Sequence, residues 1–192
     1  MRWTLLLLTL ALLACGDDYV PTPRPHAYPR IELPSQAQRS YTTFAREGCP
    51  FTFEYPADGE VVRQEQDSCW LTLRFDRYDL TWHITHRNIP ASGKPQVAHF
   101  EDFRRLVYKH SKKASRIEEN PFTLPQGNGF LFEVYGEVGT PAQVFFADQA
   151  EEDLVMMTFY YRDATTRDSL APITQYMKEE LRHAVESLRW TN

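Results

Sequence analysis

Apolar and polar residues alternate along Phe51-Thr52-Phe53-Glu54-Tyr55, a period of two that predicts a half-buried strand closed by Pro56 and the Asp58-Gly59 turn. Val61 and Val62 open a short partner strand to Gln64. Two more strands follow over Cys69–Phe75 and Leu80–His86, with Asp76–Asp79 the polar turn between them. The period then changes. Val97, Phe100, Phe103, Val107, His110, Ala114 and Ile117 recur at three- and four-residue steps, which predicts one long helix from Gln96 to Glu119 stopped by Pro121. Strands return over Gly129–Val138, Gln143–Asp148 and Leu154–Arg162, and Gln126–Gly129 reads as a hairpin turn. A last helix is predicted from an N-cap at Asp168 or Ser169. Pro172 is tolerated in its first turn, and its core stripe is Ile173, Tyr176, Met177, Leu181, Ala184 and Leu188. The order βββ(β)-α-βββ-α argues an α+β fold, an antiparallel β-sheet with two helices packed on it.

The N-terminus follows a different logic. Arg2 precedes a Leu/Ala run from Leu5 to Ala14, about half of the ~20 apolar residues that cross a bilayer as a helix. Residues 1–14 therefore read as a secretory signal peptide, and Leu12-Leu13-Ala14-Cys15-Gly16 looks like a bacterial lipobox that would leave Cys15 lipid-modified. Residues 15–46 hold Pro21, Pro23, Pro25, Pro29 and Pro34, a density that favours extended chain and blocks helix. They read as a lipid-anchored, proline-rich tether. Residues 47–192 read as a single α+β domain, and the expected location is a membrane-attached lipoprotein of the cell envelope, its domain outside the cytoplasm and facing the periplasm.

Composition sharpens this. In 192 residues, 24% charged and 14% aromatic side chains are too core-rich for a disordered chain and too charged for a membrane-embedded one. A formal net charge of −5 argues against nucleic acid as a partner, since phosphate binding needs a basic footprint. Loss of residues 1–14 removes only Arg2, leaving 20 basic against 26 acidic residues, a formal −6. The three cysteines resolve into one lipid attachment, Cys15, and an even pair, Cys49 and Cys69, in an oxidising compartment. If joined, this pair would staple the strand Phe51–Tyr55 to the next strand of its sheet. Within this acidic chain, Arg105, Lys109, Lys112, Lys113 and Arg116 are expected to form a basic ridge on the back of the long helix. The plain reading of such a ridge is a solvated face; the sharper one is a docking surface for an acidic partner or anionic lipid.

Catalytic and metal constellations fail on geometry. His83 and His86 stand three apart in a strand and point to opposite faces. His99 and His110 are eleven residues apart on the predicted helix, ~16 Å at 1.5 Å per residue, too far for one zinc. No Gly-x-Ser-x-Gly elbow is present, and the acidic pairs Glu118-Glu119, Glu151-Glu152 and Glu179-Glu180 fall on loops or helix surfaces. The expectation is no enzyme, no catalytic residue, no metal site and no cofactor.

Several stretches together resemble the GldD-type gliding motility lipoproteins. They are Pro23–Pro34, Cys49–Pro56, Cys69-Trp70-Leu71, Tyr108-Lys109-His110 with Lys113-Ala114, Val144–Asp148 and Arg167–Pro172. Val107 stands where a smaller alanine is expected. The resemblance implies a membrane lipoprotein required for gliding over surfaces and for type IX protein secretion, a machinery or assembly component with no catalytic residues to carry over. It implies other machinery proteins as partners, alongside membrane lipid at the anchor. The element order is also similar to PsbP-like domains. Two further readings stay open: a periplasmic module binding a lipid or small ligand, which a pocket between the sheet and the long helix lined by Trp70, Trp82 or Phe146 would support, and a cryptic hydrolase.

Overall fold

The structure, a computed structural model, describes residues 32–64, 69–162 and 170–191, leaving aside the side chains of residues 63, 64, 110 and 111. The first strands are β1 (Tyr41–Phe44), β2 (Phe51–Pro56), β3 (Glu60–Gln64), β4 (Leu71–Phe75) and β5 (Leu80–Asn88). A single helical turn, α1 (Ile89–Ser92), leads to α2 (Gln96–Tyr108), which tightens into a 3-10 turn at Lys109–Lys112. Then come β6 (Ala114–Leu124), β7 (Gly127–Gly136), β8 (Ala142–Asp148), β9 (Asp153–Tyr161), α3 (Ala171–Ser187) and β10 (Arg189–Trp190). The predicted caps Asp168 and Ser169, and Cys15, lie outside the described residues.

Seven strands form one antiparallel sheet in the order β3-β4-β5-β9-β8-β7-β6, and β1-β2-β10 form a second, three-stranded one. On one face of the large sheet, Phe103 and Val107 of α2 pack on Phe132, Val134, Phe145 and Ala147. On the other, Leu181, Ala184 and Val185 of α3, with Phe51 and Phe53 of the small sheet, cover Trp82, Val144, Phe146 and Met157. β8 is thus buried along its whole length, since both layers meet over it. The α+β sandwich expected from the element order is the fold observed. Every residue of the predicted stripe on the last helix is buried.

Four details differ from the expectation, each for a physical reason. The long helix ends at Tyr108, and Ala114–Leu124 is strand β6. A bulge between Ala114 and Arg116 shifts the phase of the alternation, so Ala114 and Ile117, three apart, both pack on the α2 layer and imitate helical spacing. Pro121 is accommodated because β6 is an edge strand with one neighbour. At the other end of the stripe, Val97 is 63% exposed; the buried face of α2 is set by His99, Phe103 and Val107.

The second difference concerns the span assigned to the tether. β1 lies inside it, pairs with β2 from Tyr41↔Pro56 to Phe44↔Phe53, and buries Phe44, so residues 41–46 build the domain. Third, Cys49 and Cys69 are bonded, with Cα atoms 5.5 Å apart, but β2 and β4 belong to different sheets. The bond therefore staples one sheet to the other. Fourth, the β6–β7 turn is Pro125-Gln126, and the ladder resumes at Gly127.

Gly127 and Gly129 are imposed by the closeness of β8: a Cβ at Gly127 would stand 2.1 Å from the carbonyl oxygen of Ala147, and one at Gly129 2.5 Å from that of Phe145. Gly127→Ala should lower stability by about 1–3 kcal/mol, because the neighbouring atom is backbone and has nowhere to move. A lower urea midpoint at unchanged m-value would show it.

Candidate functional site

The structure divides the expected basic ridge. Arg105 lies on α2, Lys109 and Lys112 in the 3-10 turn that follows, Lys113 just before β6, and Arg116 within β6. Arg116 lies on the other face of the sheet, stacked over the Tyr135 ring at 4.2 Å and 3.3 Å from Glu118. A five-residue ridge on one helix is therefore not formed. Arg105 is shared with Asp102 at 3.5 Å, and Asp102 also holds Lys94 at 3.1 Å. The Lys94 bond is the main reason the Asp102 carboxyl sits below its ordinary range.

What remains is a cluster at the end of α2. The backbone N–H of Lys109 is shared among the carbonyls of Arg105, Leu106 and Val107, which winds the helix end into the tighter turn. Lys109, Lys112 and Lys113 are all exposed, and none has a carboxylate partner among the described residues. Beside them Leu106 is 51% and Tyr108 40% exposed. Arg104 donates from Nε to both oxygens of Glu119 at 3.0 and 3.2 Å, and the Tyr108 hydroxyl donates to Glu119 as well. That bond to Glu119 raises the Tyr108 pKa above its ordinary value, chiefly by keeping the proton on the phenol. Leu106, and Tyr108 beyond its place in the family resemblance, were not read from the sequence as part of this surface; the legible signal was two large apolar residues off the buried azimuth of the helix.

A cavity of about 350 Å³ opens on the opposite face, between β6–β8 and α3. Phe122, Leu124, Leu131, Val144 and Val185 make its apolar floor, and Glu118, Glu133, Arg182 and Glu186 stand at its rim. Glu133 is held by Lys178 at 2.8 Å. The residues named from sequence do not line it: Trp82 and Phe146 are fully buried, and the Trp70 indole donates to the His86 carbonyl at 2.9 Å.

The histidines are distributed rather than gathered. His83 contacts Thr72 Oγ1 at 3.0 Å through Nδ1 and the Tyr160 hydroxyl through Nε2, whereas His86 pairs with Asp153 at 2.8 Å. His99 meets Ser92 Oγ at 2.7 Å, its pKa lowered by burial and then by Arg87 and Lys94. His183 meets Glu54 at 2.8 Å. Thr72, His83 and Tyr160 form a hydroxyl–imidazole–phenol row. They lie on strands paired on both sides, so the backbone N–H groups there are committed to the ladder and offer no oxyanion donor. Among the described residues no group of three or more His, Cys, Asp or Glu is placed to hold a metal ion.

A third cluster joins the start of the domain to α3. Arg39 reaches Glu179 at 2.8 Å and Glu180 at 3.1 Å, and its guanidinium lies 5.1 Å over the Tyr176 ring. Glu180 is fully buried, which raises its carboxyl pKa despite Arg39, while the bond to Arg39 lowers that of Glu179. Tyr176 is pushed well above the ordinary phenol range by burial, with Glu180 adding to it. This is a structural clamp.

This arrangement of two helices around a central antiparallel sheet also occurs in the Ran-binding protein Mog1p of Saccharomyces cerevisiae, which matches at a TM-score of 0.53 and 10% identity, covering 80% of this chain and 97% of that one. PsbP from the cyanobacterium Synechocystis sp. PCC 6803 matches at 0.48 and 12% identity, over 79% and 92% of the two chains. The Mog1p likeness shows a shared fold and no more. No curated protein matches the chain in sequence. The family model described as gliding motility lipoprotein GldD matches residues 18–190, and the chain belongs to that family.

Proposed function

We propose that this chain is a lipid-anchored, non-catalytic subunit of the apparatus that drives gliding and type IX protein secretion, acting as a structural or assembly component. The observation that carries the reading is the family match over residues 18–190. In this reading Cys15 carries the lipid, the proline-rich segment after it is the tether, and the domain stands on the periplasmic side of the envelope. Its partners are membrane lipid and other machinery proteins. Among the described residues no helix is long and apolar enough to cross a membrane, which is compatible with attachment through the N-terminus. In-cell crosslinking followed by pull-down of the tagged lipoprotein should recover motility or secretion components; recovery of none would sink the assembly role. Cys15→Ala should move the protein from the membrane to the soluble fraction.

One observation favours a second reading. The apolar floor of the cavity under α3 suits a small amphiphile, as an accessory ligand-binding module would require.

A further inference from the structure

Most of the other basic side chains among the described residues of the domain are occupied. Arg39, Arg74, Lys94, Arg104, Arg162 and Lys178 each hold a carboxylate within 3.1 Å. The turn that closes α2 is different: Lys109, Lys112 and Lys113 are all exposed and, among the described residues, have no carboxylate partner. A helix C-terminus favours one cation in its last turn. It does not account for three, nor for Leu106 and Tyr108 standing 51% and 40% exposed next to them. Apolar and aromatic side chains among lysines match the boundary of a bilayer, where headgroups take the charge and the acyl region takes the rings and methyls.

We propose that Leu106, Tyr108 and the lysine turn Lys109–Lys113 dock the domain on an anionic phospholipid surface. The proposal rests on the lipid anchoring set out above. A bilayer is favoured over an acidic protein by the size of the patch: one turn and two apolar side chains fall far short of the ~20–30 residues a side of a stable protein interface. A few lysines suffice at a charged membrane, and an anchored domain meets that membrane at high effective concentration, so weak contact is enough.

The geometry permits it. Arg77, between β4 and β5, donates to the carbonyl of Glu32, which fixes where the tether joins the domain. The lysine turn precedes β6, five strand positions across the sheet from β4. At ~4.8 Å per strand this is about 24 Å. The chain from Cys15 to Glu32 can extend to roughly 55 Å, long enough for anchor and turn to reach one surface. Tyr108 is held in place by Glu119, so its ring is presented without first being ordered.

The test uses the full lipidated chain in vesicles of phosphatidylcholine with and without phosphatidylglycerol, isolated by flotation. Ser115→Cys, exposed beside the turn, carries an environment-sensitive fluorophore, and nitroxide-labelled lipid is the quencher. Quenching is expected only with phosphatidylglycerol, and it should fade with added salt. At roughly fivefold per lysine, Lys109→Ala, Lys112→Ala and Lys113→Ala together should weaken contact on the order of a hundredfold. The thermal midpoint should not move, because these lysines have no carboxylate partner among the described residues. Chains that float but stay unquenched overturn the docking alone, as does quenching indifferent to phosphatidylglycerol. Loss of gliding in the triple variant with vesicle contact unchanged makes the turn a protein contact and overturns it too. Chains that fail to float overturn the anchoring and the docking with it.

Discussion

Arg39→Ala is expected to cost the domain about 3–5 kcal/mol, because it leaves a buried carboxylate without its counter-ion. Glu180 has no exposed surface, and the Arg39 guanidinium stands 3.1 Å from it. Urea unfolding at neutral pH measures the loss, and pairing Arg39→Ala with Glu180→Gln should restore most of it. A double variant as unstable as the single one would show that the charge is not the cause. The pH dependence gives a second check. The folded pKa of Glu180 is raised by burial, so its contribution is fully present below the unfolded pKa and is lost as pH rises through the folded one. Removing Arg39 raises it further, so the deficit should shrink as pH falls from neutrality toward the ordinary carboxylate range. Glu179 works in the opposite sense: its pKa is lowered by Arg39, so its contribution is present above the unfolded pKa and disappears as pH falls through the lowered value.

Replacing both bonded cysteines, Cys49→Ala with Cys69→Ala, should cost about 3 kcal/mol, the chain-entropy value for a loop of this length. The two positions are 20 apart in sequence, and each leads into a strand of a different sheet. Released, the small sheet keeps its packing on α3 and on the large sheet but loses its covalent register. Wild-type protein unfolded under reducing conditions should match the double variant. A double variant as stable as the oxidised wild type would mean that the bond constrains nothing packing does not already hold.

The strands that alternate cleanly and the last helix were legible, because each buries one face and their periods are undisturbed. β1 and β10 were not: four and two residues are too short to show a period, and both exist by pairing with β2. The end of α2 was hidden by the bulge at Ala114–Arg116, which copies a helical step inside a strand. That one error placed Arg116 on the wrong surface, while the lysines were already in view. The cavity was illegible, since Phe122 and Val185 are 63 residues apart and only the finished sandwich brings them together.

The clamp and the small sheet have a kinetic consequence. Glu54 meets His183 across 129 residues, and Arg39 meets Glu179 across 140. Thr191 at the far end donates to the carbonyl of Pro50. Such distant pairings cannot form until almost the whole polypeptide is available, and contacts of this separation close slowly. A chain emerging through a membrane from its N-terminus would cross without its two ends joined, and would acquire its small sheet only once α3 and β10 had followed. Late folding is then a property of the topology itself.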